Sequence, residues 1–386
     1  MKVLIVTPFF PYVGVPHAGG KTVYEIIKGL YAQHEIYLFS RIEPHEIGFV
    51  QEMGGFCKEV ELYKFKTPDA DNPLRVFFII ASYLNLAIRA NRIIRKRNFD
   101  IVQVEHTEAG LFIKRHKKAR MILDAHDVIS KPAERQYRAS QGVLQKTINW
   151  LRWRISKSIE LSIAGKFDTI FTRSRMDKNI LLSFNPNLNI HVIPHAVETS
   201  EYPPHCAGEE NIILFAGAMH RDVNQEAVIY FFKNILPRVK QGMPGIQFYV
   251  VGNNPPQHIK DLSSYDRNIV VTGYVDDIAP YYQKATIFVS PILRGGGIIA
   301  KNIEAMAHSL PVVTTSIGNE GIEAVPGRDI LVADTAEEFS QNISLLLKSR
   351  DMRIAVGEAG RRFVRESFDL KRMIEKVDMI WRKTLP

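Results

Sequence analysis

A chain of 386 residues is too long for one typical domain and fits two of ordinary size. A hydrophobic share of 46% excludes a disordered chain, and two cysteines, Cys57 and Cys206, exclude a disulfide framework or a cysteine metal site, as expected in a reducing cytoplasm. The net charge of +9 asks for an acidic partner, whether nucleotide, anionic lipid or nucleic acid, and does not choose among them.

The opening run MKVLIVTPFF carries one Lys and breaks at Pro8 and Pro11, so it predicts a buried strand over 3–7 rather than a cleaved leader. The loop after it holds Pro16, His17, Ala18, Gly19 and Gly20, ahead of a helix expected over 21–33. A glycine pair between first strand and first helix is where a phosphate-facing loop would lie. A strand follows over 35–40, then an amphipathic stretch over 72–97 that ends in Arg92, Arg95, Lys96 and Arg97. Its longest uncharged run, 76–88, is too short to cross a bilayer. Runs at 101–105 and 121–125 read as buried strands, and His126 stands at the carboxyl end of the second, where open α/β sheets hold ligands. A long helical stretch over 138–165 contains Trp150 and Trp153, and short strands at 169–172 and 191–193 close the first half. The segment VETSEYPPHCAGEE is the best linker in the chain.

The second half restarts the alternation. Strands are expected over 212–216, ending at Gly217, then 247–251, 269–272, 286–290, 311–315 and 330–332, with helices over 225–240, 336–349, 352–365 and 370–385. The densest stretch is TIFVSPILRGGGIIAKNIEAMAHSLPVVTTS: strand, glycine loop, a helix over 298–308, strand. Gly295, Gly296 and Gly297 let a ligand approach the backbone, and the helix start favours an anion. Lys301 and Glu304 lie one turn apart on a shared face. A cation suits a phosphate and an acid suits a ribose diol, although the same spacing also describes a plain surface ion pair. Two runs of strand and helix about one linker predict an α/β protein of two doubly wound parallel-sheet domains facing a cleft. The expected domains are 1–200, 209–369 and a terminal helix over 370–386 that packs back on the first.

Three segments of the second half resemble the retaining glycosyltransferases of family 4, which have the GT-B fold. They are AGAMHRDVNQEAVIYF, VVTGYVDDIAPYYQKATIFVSP and the run from Arg294 to Gly321, with IEAMAHSLPVVTTSIGNEG the most specific piece. TPFFPYVGVPHAGGKTVYEIIKGL, DAHDV, TRSRMD and VIPHAVE carry the likeness through the first half. The resemblance implies an acceptor domain followed by a donor domain. It implies that Glu304, the second acid of an E-x7-E pattern, meets the donor ribose, and that His126 lies near the donor sugar. It places Gly19 and Gly20 against the diphosphate. Gly296, Gly297, Ile298 and Ile299 fall in the amide-lined loop that meets sugar and phosphate, and Tyr274 and Val275 beside the nucleobase. Gly217 and Gly295 join the donor-binding set.

The sequence also departs from the pattern. Gly296 replaces the first acid, and Ala218 and Asn224 stand where many members place an Arg and a Lys that grip the diphosphate. Arg221, Arg294 and Lys301 are expected to take over, with no metal and no further cofactor. The catalytic set is therefore His126, Lys301 and Arg221.

The implied activity moves a hexosyl group from a UDP- or GDP-sugar to a saccharide or lipid-linked acceptor with retention, in bacterial cell-surface polysaccharide or lipopolysaccharide assembly. The alternatives are a UDP-sugar 2-epimerase of the same fold and a non-enzymatic basic protein of membrane surfaces. No G-x-G-x-x-G follows the first strand, which disfavours a nicotinamide enzyme, and no aromatic-basic motif supports nucleic acid. The expected location is the cytoplasm, with peripheral contact to an anionic inner membrane face. Trp150 and Trp153 with Arg152, Arg154 and Lys157 would serve as an interfacial anchor, against the plainer reading of a packed helix with a solvated basic face.

Overall fold

The computed structural model describes residues 1–15, 17–68, 72–202, 211–295 and 298–384. Gly296, Gly297 and the 203–210 part of the expected linker, including the expected start of the second domain, lie outside the described residues. The chain divides into two compact units, Met1–His195 with Lys371–Pro386, and Ala196–Leu370.

The first unit holds a seven-stranded sheet. Its strands are β1 (Lys2–Thr7), β2 (Glu35–Ile42), β3 (Glu59–Lys64), β4 (Ile101–Glu105), β5 (Arg120–Ala125), β6 (Thr169–Thr172) and β7 (Ile190–Val192). They run in the order β3-β2-β1-β4-β5-β6-β7, every pair parallel. The central strands are buried along nearly their whole length because helices cover both faces. β3 was not expected from the sequence. It is the edge strand, and its charged positions Glu59, Glu61 and Lys64 break up the apolar signal.

The second unit holds a six-stranded parallel sheet of β8 (Ile212–Ala216), β9 (Gln247–Val251), β10 (Ile269–Gly273), β11 (Ile287–Ser290), β12 (Val312–Thr314) and β13 (Leu331–Val332). Its order is β10-β9-β8-β11-β12-β13. Phe215, Phe231, Phe248 and Phe339 are fully buried in its core, and truncating one such ring costs about 3–5 kcal/mol. In both units the winding reverses at the first strand, between β1 and β4 and between β8 and β11. The carboxyl ends of those strand pairs are where ligands gather in such sheets.

Several helices depart from expectation. The first begins at Ala18, so Gly19 and Gly20 belong to its opening turn and not to the loop before it. His17 makes this possible by capping the helix, its Nδ1 accepting from the Gly20 amide at 2.9 Å. The stretch expected as one helix over 138–165 is two, Ser130–Ala139 and Val143–Ala164, divided at Gly142 with φ +84°. The helix expected over 225–240 is Asp222–Tyr230, a π-helical turn Phe231–Ile235 and Leu236–Gly242. The helix after the glycine run spans Ala300–Ala307.

The first segment of the expected linker is held by the second unit. Val197 exchanges backbone hydrogen bonds with Phe368 and Leu370, and Thr199 Oγ1 donates to Asp369. The last helix, Leu370–Lys383, passes into the first unit. There Asp378 accepts from His34 Nε2 at 2.6 Å and Trp381 is fully buried.

Helix Arg75–Lys96 is long and apolar enough to cross a membrane by length and composition alone, where its uncharged run had suggested otherwise. Its amino-terminal half leaves Val76, Phe77, Phe78 and Ile80 exposed. Helix Val143–Ala164 buries only Asn149, Glu160, Ile163 and Ala164, and leaves Leu144, Trp150, Leu151 and Ile155 exposed. Trp153, by contrast, is half-buried and stacks on Tyr137 at 5.5 Å.

Candidate active site

In the first unit, side chains from the ends of β1, β4, β5 and β6 converge. Parallel register sets Glu105 of β4 beside Asp124 of β5, and His126 follows β5. His126 Nε2 lies 2.8 Å from Glu105 Oε2. Its ring stacks on His106 at 4.3 Å and meets the edge of Phe9 at 6.0 Å. His106 adopts φ +69°, a strained value for a residue that is not glycine, as it turns out of β4. Arg173, just past β6, has Nη2 at 2.7 Å from Asp124 Oδ2 and 3.1 Å from His126 Nε2, while its Nη1 donates to the Ile193 carbonyl at 2.9 Å. His195 completes the group, its Nδ1 2.8 Å from Thr22 Oγ1.

The glycine pair lies against these groups. A Cβ on Gly19 would stand 2.9 Å from His126 Cε1 and Nδ1, so only glycine lets the helix start approach the ring. Gly20 is the residue whose amide His17 caps.

Burial governs the charges here. It pushes His126 and His195 well below the usual histidine range, and the Arg173 guanidinium pushes both the same way. Burial and the neighbouring Asp124 raise Glu105 well above the usual carboxylate range; Asp124 is raised by burial and held back by Arg173. Glu105, Asp124 and His126 place potential metal-ligand atoms within 4.8 Å of one another. The fixed guanidinium beside them already supplies the positive charge a cation would bring, so this set fits a metal poorly. Glu105, Arg173, His106 and His195 were not assigned a role from sequence. Arg173 and His195 stood inside the quoted TRSRMD and VIPHAVE segments; Glu105 carried no signal beyond its place at a strand end.

In the second unit the corresponding position lies between β8 and β11. Lys301, in the first turn of helix Ala300–Ala307, reaches back under the loop after β8. Its Nζ donates to Asn224 Oδ1 at 2.6 Å and sits over the Phe215 ring at 4.2 Å. Burial, with the Arg221 guanidinium nearby, brings this ammonium down to about 7. Asn224 is itself fixed, donating from Nδ2 to the Ala218 carbonyl at 2.8 Å. Gly217 leaves the space: a Cβ there would stand 2.8 Å from Lys301 Nζ. An ammonium thus reaches position 224 from position 301 and rests on Asn224.

Arg221 stands exposed at the start of helix Asp222–Tyr230. Arg294 makes a bidentate pair with Glu226 at 2.6 and 2.5 Å on the surface, a partner its sequence position did not reveal. Glu304 accepts from the Tyr282 hydroxyl at 3.4 Å, one turn beyond Lys301. Gly295 has φ +142°; Ile298 packs on the core of the unit, and Ile299 precedes the helix. Tyr274 is exposed past the end of β10, and Val275 packs inward beside it.

Two doubly wound parallel sheets are the architecture of the GT-B fold, and comparison with known proteins places the chain among the glycosyltransferases that have it. A family model described as Glycosyltransferase Family 4 matches residues 19–201, and one described as Glycosyl transferases group 1 matches residues 210–349. The chain belongs to this family of glycosyltransferases. An uncharacterized glycosyltransferase of Methanocaldococcus jannaschii is 24% identical over 97% of both chains. A protein of the cps region of Klebsiella pneumoniae is 26% identical over 43% of this chain and 44% of its own. Among solved structures, sucrose-phosphate synthase of Thermosynechococcus elongatus superposes with TM-score 0.71 at 16% identity, covering 99% of this chain and 98% of that one. The Anabaena HepE protein in complex with UDP gives 0.70 at 12% identity, covering 99% and 100%.

Proposed function

We propose that the protein transfers a hexosyl group from a UDP-sugar to a hydroxyl of a membrane-borne saccharide or lipid acceptor, with retention and without a metal, in surface polysaccharide assembly. The observation that carries the reading is Lys301, an ammonium held by Asn224 at the switch point of the second sheet. In glycosyl transfer the barrier lies in departure of the diphosphate from an oxocarbenium-like sugar, and fixed cations at that leaving group lower it. Lys301 takes this role, with Arg221 at the adjacent helix start and Glu304 on the ribose. Arg294 gives up its pairing with Glu226 to join them when the diphosphate arrives. His126 lines the sugar side with a neutral ring, which suits it to a hydrogen bond with a sugar hydroxyl rather than to ion pairing. The uridine preference is supported by the UDP bound in the Anabaena relative, and the pathway by the cps-region relative.

A thermal-shift screen over UDP, GDP and their sugars tests the donor. Ligand at about 100 times its Kd stabilises the native state by about 2.7 kcal/mol, so UDP and one UDP-sugar should raise the melting temperature clearly. A response to GDP alone would reverse the base assignment. Product analysis with donor and no acceptor separates transfer from 2-epimerisation, because an epimerase would convert the sugar unaided.

Acceptor presentation at a membrane is supported by the exposed apolar residues of helices Arg75–Lys96 and Val143–Ala164, flanked by Arg92, Arg95 and Lys96 and by Arg152 and Arg154. Apolar insertion beside basic side chains is the pattern of a helix lying in a lipid interface. Flotation with vesicles containing anionic lipid should carry the protein at low salt and release much of it at high salt. Phe77→Ser with Phe78→Ser should reduce binding. Equal recovery with and without vesicles would point to a soluble acceptor and a cytoplasmic enzyme with no membrane contact.

A further inference from the structure

Behind His126 runs a line of buried polar side chains that the catalytic reading does not use. Trp381 Nε1 donates to Gln103 Oε1 at 2.9 Å, Gln103 Nε2 donates to Glu105 Oε1 at 2.7 Å, and Glu105 Oε2 lies 2.8 Å from His126 Nε2. Trp381, Gln103 and Glu105 are fully buried, and His126 is 5% exposed. Gln103 and Glu105 sit on one face of the central strand β4, where valine would normally serve. Polar groups buried there are costly unless every one is satisfied, and here they are satisfied in sequence.

The line has a direction, and its start fixes it. An indole N–H can only donate, so the Gln103 oxygen must face Trp381 and its amide nitrogen must face Glu105. Glu105 Oε1 therefore accepts. The remaining oxygen meets His126, and the charge on Glu105 decides which of the two donates. Arg173 Nη2 lies 2.7 Å from Asp124 Oδ2 and 3.1 Å from His126 Nε2, with Nδ1 farther at 3.4 Å, and a guanidinium only donates, so Nε2 faces it with a lone pair. Glu105 is left with an amide, an imidazole and the Asp124 carboxylate beside it in register. Two fully buried carboxyls with oxygens within 4.8 Å of one another and a single guanidinium beside them do not both ionise.

We infer that Glu105 is held as a neutral acid that donates from Oε2 to His126 Nε2, so that the line from Trp381 locks His126 in the Nδ1–H tautomer. The Nδ1–Cε1 edge of the ring faces Gly19, where a side chain has no room. The lock thus presents an N–H donor, not a lone pair, on the edge turned toward the start of the first helix. Trp381, Gln103 and Glu105 are positioning residues, and the terminal helix contributes to the site through them. Any consequence for turnover rests on the glycosyl-transfer reading above; the tautomer itself does not.

The test reads the tautomer directly in the full-length protein labelled with ring 15N histidine, without substrate. The expected spectrum shows His126 protonated at Nδ1 near neutral pH. An Nε2–H ring in the wild type would overturn the inference whatever the activity. Glu105→Gln is the discriminating variant. Its amide can accept from Gln103 and donate to Nε2 as a neutral acid does, so it should keep the Nδ1–H tautomer and transfer within about twofold of wild type. Glu105→Met, which can do neither and leaves Nε2 to Arg173 alone, should shift the His126 ring signals and lower kcat by about ten- to a hundredfold with a smaller change in KM, the scale seen when the outer partner of a functional histidine is removed. Trp381→Phe keeps the apolar packing but frees Gln103 to turn, so the His126 signal should split or shift; an unchanged signal would remove the indole from the line. If the spectra behave as expected and no variant, wild type included, turns over a UDP-sugar, the tautomer lock stands and the transferase donor assignment fails.

Discussion

Lys301→Met is expected to keep the fold and lose nearly all sugar transfer. The stem of Met fills the space of the Lys stem over Phe215, but nothing replaces the ammonium beside Asn224. Removing one preorganised donor of developing negative charge costs about 2.7–4 kcal/mol in transition-state energy, or roughly a hundred- to a thousandfold in rate. Stability should move the opposite way. A lysine whose folded value is brought from 10.5 to about 7 disfavours the folded state wherever the unfolded chain holds the proton and the folded one does not wish to. That unfavourable contribution is complete below about 7 and fades as pH rises toward 10.5. The variant should therefore melt slightly higher than wild type at neutral pH, with no gain near the top of that range. Binding supplies an independent readout. A diphosphate favours the charged ammonium, so wild-type affinity for UDP should be highest below about 7 and fall as pH rises above it, with proton uptake on binding. In Lys301→Met that component should vanish, leaving only the titration of UDP itself. Calorimetry in buffers of different ionisation enthalpy, with initial rates across pH, measures both. Equal turnover, or the same pH profile in both proteins, would place the diphosphate away from Lys301.

Much of this site could be read from the chain before any coordinates, and the unread part has a common cause. Strands such as VLIV, IILFA and IFVS are buried on both faces, so they appear as continuous apolar runs and were placed within a residue or so. Lys301 and Glu304 were legible because a helix writes its faces locally. Asn224 was visible only as a departure from the family pattern, and its part in holding Lys301 needed the return of the chain to β11. Arg294 shows the reverse: beside a glycine run it reads as a phosphate ligand, and its pairing with Glu226 of helix Asp222–Tyr230 could not be seen from its place in the chain. The Glu105, Asp124 and Arg173 group is written on three separate strands, and only parallel register brings it together. Breaks inside helices were missed for a related reason. Gly142 and the π-helical turn at Phe231–Ile235 lie in segments whose composition still favours helix, and packing decides where such segments bend.

The largest structural effect is expected from Gly252→Ala, at a residue that touches no proposed ligand. Gly252 follows β9 with φ +155°, and a Cβ built there stands 1.8 Å from the Gly217 carbonyl oxygen. Backbone cannot yield as a side-chain tip can. The loops after β8 and β9 are laced together, the Gly217 amide donating to Val251 O and the Met219 amide to Asn253 O, both at 2.9 Å. Gly217 is also the residue whose bare Cα leaves room for Lys301 Nζ. A methyl group at 252 must therefore displace Gly217, and with it the Asn224–Lys301 contact on the far side. Overpacking of this kind costs about 1–3 kcal/mol, and a glycine-only backbone region adds roughly 1–3 kcal/mol more. The expected result is a marked fall in melting temperature together with loss of the UDP-induced shift in whatever protein remains folded. Gly273→Ala provides the control, since Gly273 also has positive φ (+76°) but open space around it. That variant should bear the backbone strain alone and still respond to UDP. If the two substitutions cost the same and both proteins keep the shift, the two loops are not packed as closely as the geometry requires, and the support proposed for Lys301 falls with them.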